Sequence, residues 1–487
     1  MNVYFLRDRK HLIHIWYKVY SRICTFLSFL LVCSTVYGQD MATAIEELMK
    51  RHDFLQSSEV GIVVYDLQTR EERYVHQPDK LFRPASVQKI ITGVTVLATL
   101  GENHTYNTRL CYTGEIVEGV LRGNLYVVGD YDAEFGRTDL YRLAETVRDA
   151  GIRKIAGRLY GDTSFSDAPF WGPGWCWDDA SSTFMPYMSA LILNKGALHV
   201  SAYPTSRGKR ARIEAIPRAT TYEIINETQS KTPKAGVFQI ERNWQAQGNT
   251  IRLRGNVKTP IHSRISLFDG ARYFMDAFQA QLTEVGVSTS GTPIMGSVTP
   301  AEARLLSVIE RPLTDILIEA LKESDNLSAE ALFAHIGAYG GGEKTTTNFI
   351  RSTRVVKEFI DAELPIDSEE LKVADGSGLS PYNLVSPRQL LSFLTYAYDH
   401  PTLYNAFYNA LPIAGVDGTL KRRMKNSTAF RQVRAKTGTI TGISALAGYA
   451  TGQSGQILAF VILHQNVLRA SQARAFQDEL CEILTSY

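Results

Sequence analysis

The sequence predicts an α+β fold in which the two ends of the chain build one domain around an inserted β-rich stretch. Three observations predict it. A buried-type strand at residues 61–67 opens a strand–turn–strand–helix series near the start. The chain closes on three strand patterns (431–439, 445–450, 456–464) and a helix pattern (470–484), which are free to return and pair with 61–67. Between them, residues 105–260 change texture to short strands with a single helix. At 487 residues the chain is about three times a ~150-residue domain, so a sizeable core is available.

Taken in order, residues 1–38 read as a targeting segment. Arg7, Arg9, Lys10, Lys18 and Arg22 precede an apolar run from Ile23 to Val36, and Val36-Tyr-Gly38 offers small residues for a signal peptidase. Export to the periplasm or cell envelope is the expectation. The apolar run is short for a spanning helix, and its retention would leave only a loose membrane association. A lipoprotein reading at Leu30-Leu-Val-Cys33 is weakened by the bulky Val32.

Residues 41–51 place Ile45, Leu48 and Met49 at helical spacing, and residues 68–72 turn strand 61–67 into a second strand at 73–76. Pro84 stands just ahead of an apolar helix pattern that stops at Gly101. Strands follow at 124–128, 211–216 and 250–254, with a helix at 139–149 and an aromatic loop, Phe170-Trp-Gly-Pro-Gly-Trp-Cys-Trp177. Helical patterns resume at 272–285, 313–321, 327–338, 345–360 and 387–399. The organisation expected is a segment 1–38, one domain from 39–104 and 261–487, and an insertion at 105–260.

Composition narrows the function. The chain is 44% hydrophobic and 21% charged, which excludes disorder, collagen and coiled coil. Its net charge of +2 is concentrated in residues 1–38, and the remainder is slightly acidic, so no phosphate-neutralising surface points to nucleic acid. Cys111, Cys176 and Cys481 lie beyond the targeting segment; they permit one disulfide at most, and no CxxC occurs. The histidines have no metal-ligand spacing, and neither metal nor cofactor is expected.

Three short motifs carry the chemistry. Ser86-Val-Gln-Lys89 puts a hydroxyl and an amine on one helix face. Serine is a poor nucleophile without a base, and lysine becomes one only when its pKa is lowered. A second Ser-x-x-Lys, Ser206-Arg-Gly-Lys209, lies in a basic Gly-bearing loop with no helix pattern. Ser324-Asp325-Asn326 sits between two helix patterns, where a plain inter-helix cap is the simpler reading. Lys436-Thr437-Gly438 lies on a strand pattern, where an edge lysine with a Gly bulge is the simpler reading. The three in this order form the signature of penicillin-binding and β-lactamase active sites.

With Gly123-Asn-Leu-Tyr-Val-Val-Gly-Asp130, Asp375-Gly-Ser-Gly-Leu-Ser380 and Arg434-Ala-Lys-Thr-Gly-Thr-Ile-Thr-Gly442, the sequence resembles the class C penicillin-binding proteins of low molecular mass, the D-alanyl-D-alanine carboxypeptidase/endopeptidase family. The resemblance implies a penicillin-binding/β-lactamase-like transpeptidase domain, an antiparallel sheet flanked by helices. It implies that Ser86 attacks the bond between the terminal D-alanines of peptidoglycan stem peptides, with Lys89 as base. The N–H groups of Ser86 and Thr439 would form the oxyanion hole. Ser324 and Lys436 would relay a proton, Asn326 would hold the substrate amide, and Lys436, Thr437 and Thr439 would bind the terminal carboxylate beside Gly438. β-Lactams would acylate Ser86.

Two features depart from or qualify the pattern. Pro381 stands where many relatives carry an Arg after Gly-Leu-Ser that clamps a diaminopimelate carboxylate. Asp162 resembles an insertion-domain acid that meets the diaminopimelate amine, or is a turn-capping acid. Rival readings are a sensor that binds without turnover and a β-lactamase. The second lacks its deacylating acid, since Ala190 precedes Leu193-Asn194 where a Glu is needed. The Gly-rich stretch 337–345 is not a P-loop, because Glu343 separates glycine from Lys344. Oligomeric state is not legible in the sequence.

Overall fold

The computed structural model describes residues 40–179, 182–296 and 298–487, so the targeting segment expected at 1–38 lies outside the described residues. The chain divides into two units, Met1–Arg51 and His52–Tyr487. In the first, the described element is the helix Met41–Arg51. Among the described residues no helix is long and apolar enough to cross a membrane.

In the second unit the chain ends do meet. A five-stranded antiparallel sheet runs in the order Val433–Ile440, Ile443–Thr451, Ile457–Gln465, Glu59–Asp66, Glu71–His76. Glu59–Asp66 pairs over its full length with Ile457–Gln465, from Glu59 opposite Gln465 to Asp66 opposite Leu458. These central strands are buried nearly throughout, which is why they read as continuous apolar runs rather than alternating ones. Both faces are covered. Gln477 of the C-terminal helix Ala470–Ser486 bonds Ser444 on one face. On the other, Ala445, Ala447 and Tyr449 join a core with Leu390, Phe393 and Leu394 of the helix Pro387–Asp399. A helix at Pro401–Ala410, which the sequence reading passes over, begins on a proline whose fixed φ suits the first helical position.

The inserted stretch has its own core. Leu110, Leu125, Phe135, Leu140, Phe274 and Phe278 cluster under a second five-stranded sheet. Its order is Ile294–Met295, Leu159–Asp162, Leu125–Val128, Thr105–Tyr112, Arg304–Pro312. The boundary read at 260 therefore falls short. Ile261–Ser266 pairs with Ala197–Tyr203, and Arg304–Pro312 returns antiparallel to Thr105–Tyr112. The helix Gly270–Glu284 contributes Phe274 and Phe278 to this core rather than to the first sheet. Helical periodicity shows that a face is buried, and says nothing of which sheet buries it.

Candidate active site

Ser86 sits in a single 3₁₀ turn, Ala85–Val87, that feeds the helix Gln88–Leu100. Ala85 is held at a φ of 48°, a left-handed conformation that costs a non-glycine residue about 1–3 kcal/mol and clusters at functional sites. The turn is pressed from two sides. A Cβ on Gly378, itself at a φ of +83°, would lie 1.9 Å from the Ala85 carbonyl oxygen. A Cβ on Gly438 would lie 2.8 Å from the Pro84 carbonyl oxygen and 3.1 Å from the Ser86 nitrogen. Gly438 thus lets the edge strand Val433–Ile440 run directly against the serine turn. Its register with Ile443–Thr451 is unbroken, so no bulge forms there.

Lys89 is 1% exposed. Its Nζ donates to Ser86 Oγ at 3.0 Å, to Asn326 Oδ1 at 2.7 Å and to the Ser377 carbonyl at 2.7 Å. Burial drives its pKa down to about 8, against the opposing pull of Asp375, Glu330 and Asp325. A neutral amine has two hydrogens and one lone pair. Two of the three partners are carbonyl oxygens that only accept, so the lone pair is left for the Ser86 hydroxyl.

Ser324 and Asn326 approach from the other side. Ser324 has a φ of 60°, and Asp325 caps the helix Asn326–Tyr339 by accepting from Ser328 N at 2.8 Å. The cap reading of the Ser-Asp-Asn motif is therefore correct for Asp325, and it leaves Ser324 and Asn326 to the cleft. Lys436, fully buried, donates to Ser324 Oγ at 2.8 Å and to the Thr437 carbonyl at 2.8 Å. Burial first, and the charge of Lys89 second, push its pKa well below the ordinary lysine value. Thr437 Oγ1 donates to Thr419 Oγ1 at 2.9 Å, and Thr439 is exposed. Ala435 N–H points outward from the sheet edge, donating to the Pro412 carbonyl. Strand alternation then turns the N–H groups of Thr437 and Thr439 to the same open edge.

Ser86, Lys89, Ser324, Asn326, Lys436, Thr437, Gly438 and Thr439 thus share one cleft. Asp162 does not join them. It is 2% exposed in the inserted sheet, accepting from Thr299 N and Oγ1 at 2.7 and 2.6 Å and from Ser164 N at 2.9 Å. That is the arrangement of a turn-capping acid. Pro381 has an unforeseen neighbour: Arg83, exposed, donates Nε to its carbonyl at 3.2 Å.

The sequence reading gave no role to four further groups. The Ser377 carbonyl is one, and the signal was present in its flanking glycines, Gly376 and Gly378. Glu330 is buried and accepts from Ser377 N at 2.9 Å and Gly376 N at 3.2 Å, bracing the loop just before the carbonyl that meets Lys89. The Phe184 carbonyl accepts from Asn326 Nδ2 at 2.7 Å. Asp375 anchors the same glycine loop through Gly378 N, Ser380 N and Asn383 Nδ2, and accepts from Trp175 Nε1 at 2.8 Å. Cys111, Cys176 and Cys481 are free thiols.

Known proteins are similar to this one over most of the chain. The D-alanyl-D-alanine carboxypeptidase of Actinomadura sp. (strain R39) is 30% identical over 455 residues, covering 89% of this chain and 82% of that one. The D-alanyl-D-alanine carboxypeptidase DacB of Haemophilus influenzae is 28% identical over 418 residues, covering 83% and 85%. The crystal structure of penicillin binding protein 4 (dacB) from Haemophilus influenzae superposes with a TM-score of 0.79 at 25% identity, over 91% of this chain and 99% of that one. The sequence profile of the D-Ala-D-Ala carboxypeptidase 3 (S13) family spans residues 41–487. With the profile covering nearly the whole chain, this protein belongs to that family and is a serine-type D-alanyl-D-alanine carboxypeptidase of the class C penicillin-binding group.

Proposed function

We propose that Ser86 is the acylated nucleophile and Lys89 its base, acting on peptidoglycan stem peptides that end in D-Ala-D-Ala. The three-partner seat of Lys89 carries the reading, because it aims the neutral amine's lone pair at Ser86 Oγ. Lys89 takes the hydroxyl proton as Oγ bonds to the penultimate carbonyl carbon. The N–H of Ser86, at the start of a helix, and the N–H of Thr439, on the open edge, receive the oxyanion in this reading. Collapse breaks the C–N bond, and the departing D-alanine amine is protonated through the Ser324–Lys436 pair. Water then attacks the ester and frees Ser86.

Lys436, Thr437 and Thr439 hold the terminal carboxylate in this reading, and Asn326 directs its second amide hydrogen to the substrate. β-Lactams, whose strained amide mimics the scissile bond, acylate Ser86. Endopeptidase action on cross-links is a further part of the proposal. Its support is Arg83, which brings a guanidinium beside Pro381, where the sequence has lost the Arg of many relatives. The amine-facing role is not carried over to Asp162, whose carboxylate is committed to Thr299 and Ser164. Export, by way of residues 1–38, completes the proposal and is checked by N-terminal sequencing of the mature protein from a cell-envelope fraction.

The deciding experiment incubates the purified protein with a fluorescent penicillin, maps the labelled peptide by mass spectrometry, and assays D-alanine release from a pentapeptide ending in D-Ala-D-Ala. An adduct on Ser86 with D-alanine release is expected. An adduct on another residue would remove the nucleophile assignment, and an adduct without release would favour a sensor.

A further inference from the structure

One ammonium outside the cleft touches the Ser324-Asp325-Asn326 turn. Lys195 belongs to the inserted stretch, on a short 3₁₀ turn, Asn194–Gly196. Both Asn194 and Lys195 are left-handed, with φ of 51° and 61°. Facing them is the left-handed Ser324, with a φ of 60°. Two strained turns on different parts of the fold thus meet, and the surrounding contacts must hold them.

What holds them is a single cation among three carboxylates. Lys195 Nζ pairs with Glu134, lies 3.2 Å from Asp325 Oδ1 and 3.5 Å from Glu319 Oε2, and donates to Ser328 Oγ at 2.9 Å. Ser328 Oγ in turn donates to Asp325 Oδ1 at 2.6 Å and lies 3.1 Å from Glu134 Oε1. The main chain joins the same knot, since Asp325 N donates to the Glu319 carbonyl at 3.1 Å. Asp325 touches no reacting group, yet both its neighbours do: Ser324 meets Lys436 and Asn326 meets Lys89. Remove the ammonium, and Glu134, Glu319 and Asp325 face one another with no cation between them, a costly arrangement in a partly buried site.

We propose that Lys195 is a positioning residue for the reaction, an inserted-domain cation that holds the Ser324–Asn326 turn in register with Lys89 and Lys436 through Asp325. Burial works against charge on Asp325, but Lys195 and Ser328 outweigh it and keep its pKa below the usual carboxylate value. Glu134 is raised by burial in spite of Lys195. The insertion therefore does more than shape the surroundings of the cleft, for it supplies the counter-charge to the middle residue of a catalytic motif. The inference rests on the roles proposed above for Ser324 and Asn326.

The test compares Lys195→Met, Lys195→Arg and the double variant Lys195→Met/Glu134→Gln, each as the whole protein, with Ser324→Ala as control. For Lys195→Met, the rate of penicillin acylation and kcat/KM for the pentapeptide are expected to fall together by about 10–100-fold, the scale of a small displacement of reacting groups. Lys195→Arg keeps the charge and Glu134→Gln removes one repelling carboxylate, so each is expected to recover most of the loss. The ratio of Lys195→Met to wild-type kcat/KM is expected to rise as pH falls from about 8 to about 6, because protonating uncompensated carboxylates relieves their repulsion. A ratio that stays flat with pH, or a loss that neither rescue variant repairs, overturns the inference, as does full activity in Lys195→Met. Full activity in Ser324→Ala would instead overturn the role assigned to the motif itself.

Discussion

On the helix side of the cleft, Lys89 is buried with Asp375, Glu330 and Asp325 pulling on its proton. On the strand side, Lys436 is buried as deeply, but its hydrogen-bond partners are the Ser324 hydroxyl and the Thr437 carbonyl, and the charge it feels is that of Lys89. Burial lowers both pKa values. The acidic wall returns Lys89 to about 8, near the working range of a general base, whereas Lys436 stays far below its ordinary value. The difference suits two tasks. In the proposed mechanism Lys89 accepts and returns a proton during each turnover. Lys436 is a buried amine, and under the proposed role a substrate carboxylate supplies its missing counter-charge, so that binding an acidic peptide end would raise its pKa and make it a cation.

The largest effect expected concerns the group that both walls serve. Ser86→Ala should abolish covalent penicillin labelling and lower D-alanine release by at least about 10⁴-fold, as loss of a serine nucleophile does elsewhere. Labelling at unchanged stoichiometry would leave the two lysines serving some other group. Next comes Lys89→Met, which keeps the side-chain volume and removes the base. It should slow acylation by about 10²–10⁴-fold. Stopped-flow acylation by a chromogenic β-lactam measures this, and a loss under tenfold would shift the base assignment to the Ser324–Lys436 side.

Lys436→Ala sharpens the contrast by substrate. A charge-assisted hydrogen bond contributes about 1.5–3 kcal/mol, or roughly 10–100-fold. The variant should therefore lose that much more kcat/KM on a peptide ending in a free carboxylate than on its C-terminal amide. Equal losses on the two would show that Lys436 serves proton transfer alone.

Much of this was legible in the sequence, for reasons that differ by residue. Ser86 and Lys89 are one helical turn apart, and local spacing places them together in almost any fold. The three motifs were readable because each is contiguous, and the sheet that joins the chain ends was readable because its central strands are buried on both faces. What the sequence withheld is through-space. Glu330 is one more polar residue on an otherwise buried helix, and only the fold brings the Ser377 peptide to it. Lys195 reads as a loop lysine until the turn carrying Asp325 is laid against it. The end of the insertion was missed because the helix Gly270–Glu284 has the same periodicity whichever core it faces. Asp162 shows the converse: its sequence context left a ligand-facing acid and a turn-capping acid both open, and its carboxylate accepts from Thr299 and Ser164.

The smallest effect is also the most direct probe of the acidic wall. Glu330 is buried, and burial first and Asp375 second raise its pKa well above the ordinary carboxylate value. Asp325, Asp375 and Lys436 are the other ionisable groups around Glu330 and Lys89. In Glu330→Gln the amide oxygen still accepts from Ser377 N, so the carbonyl facing Lys89 keeps its place, while the bond to Gly376 N is lost. Reaction needs neutral Lys89, so kcat/KM rises with pH through the lysine's pKa. Taking away a negative neighbour makes the ammonium less stable, lowers that pKa, and moves the rising limb to lower pH. Glu330 carries its charge over only part of this range, which limits the displacement to less than about one pH unit. A limb that moves upward, or holds its position while the plateau falls, would mean that Glu330 acts only by bracing the Gly376–Ser377 peptide, and that desolvation and Asp375 suffice to set the base.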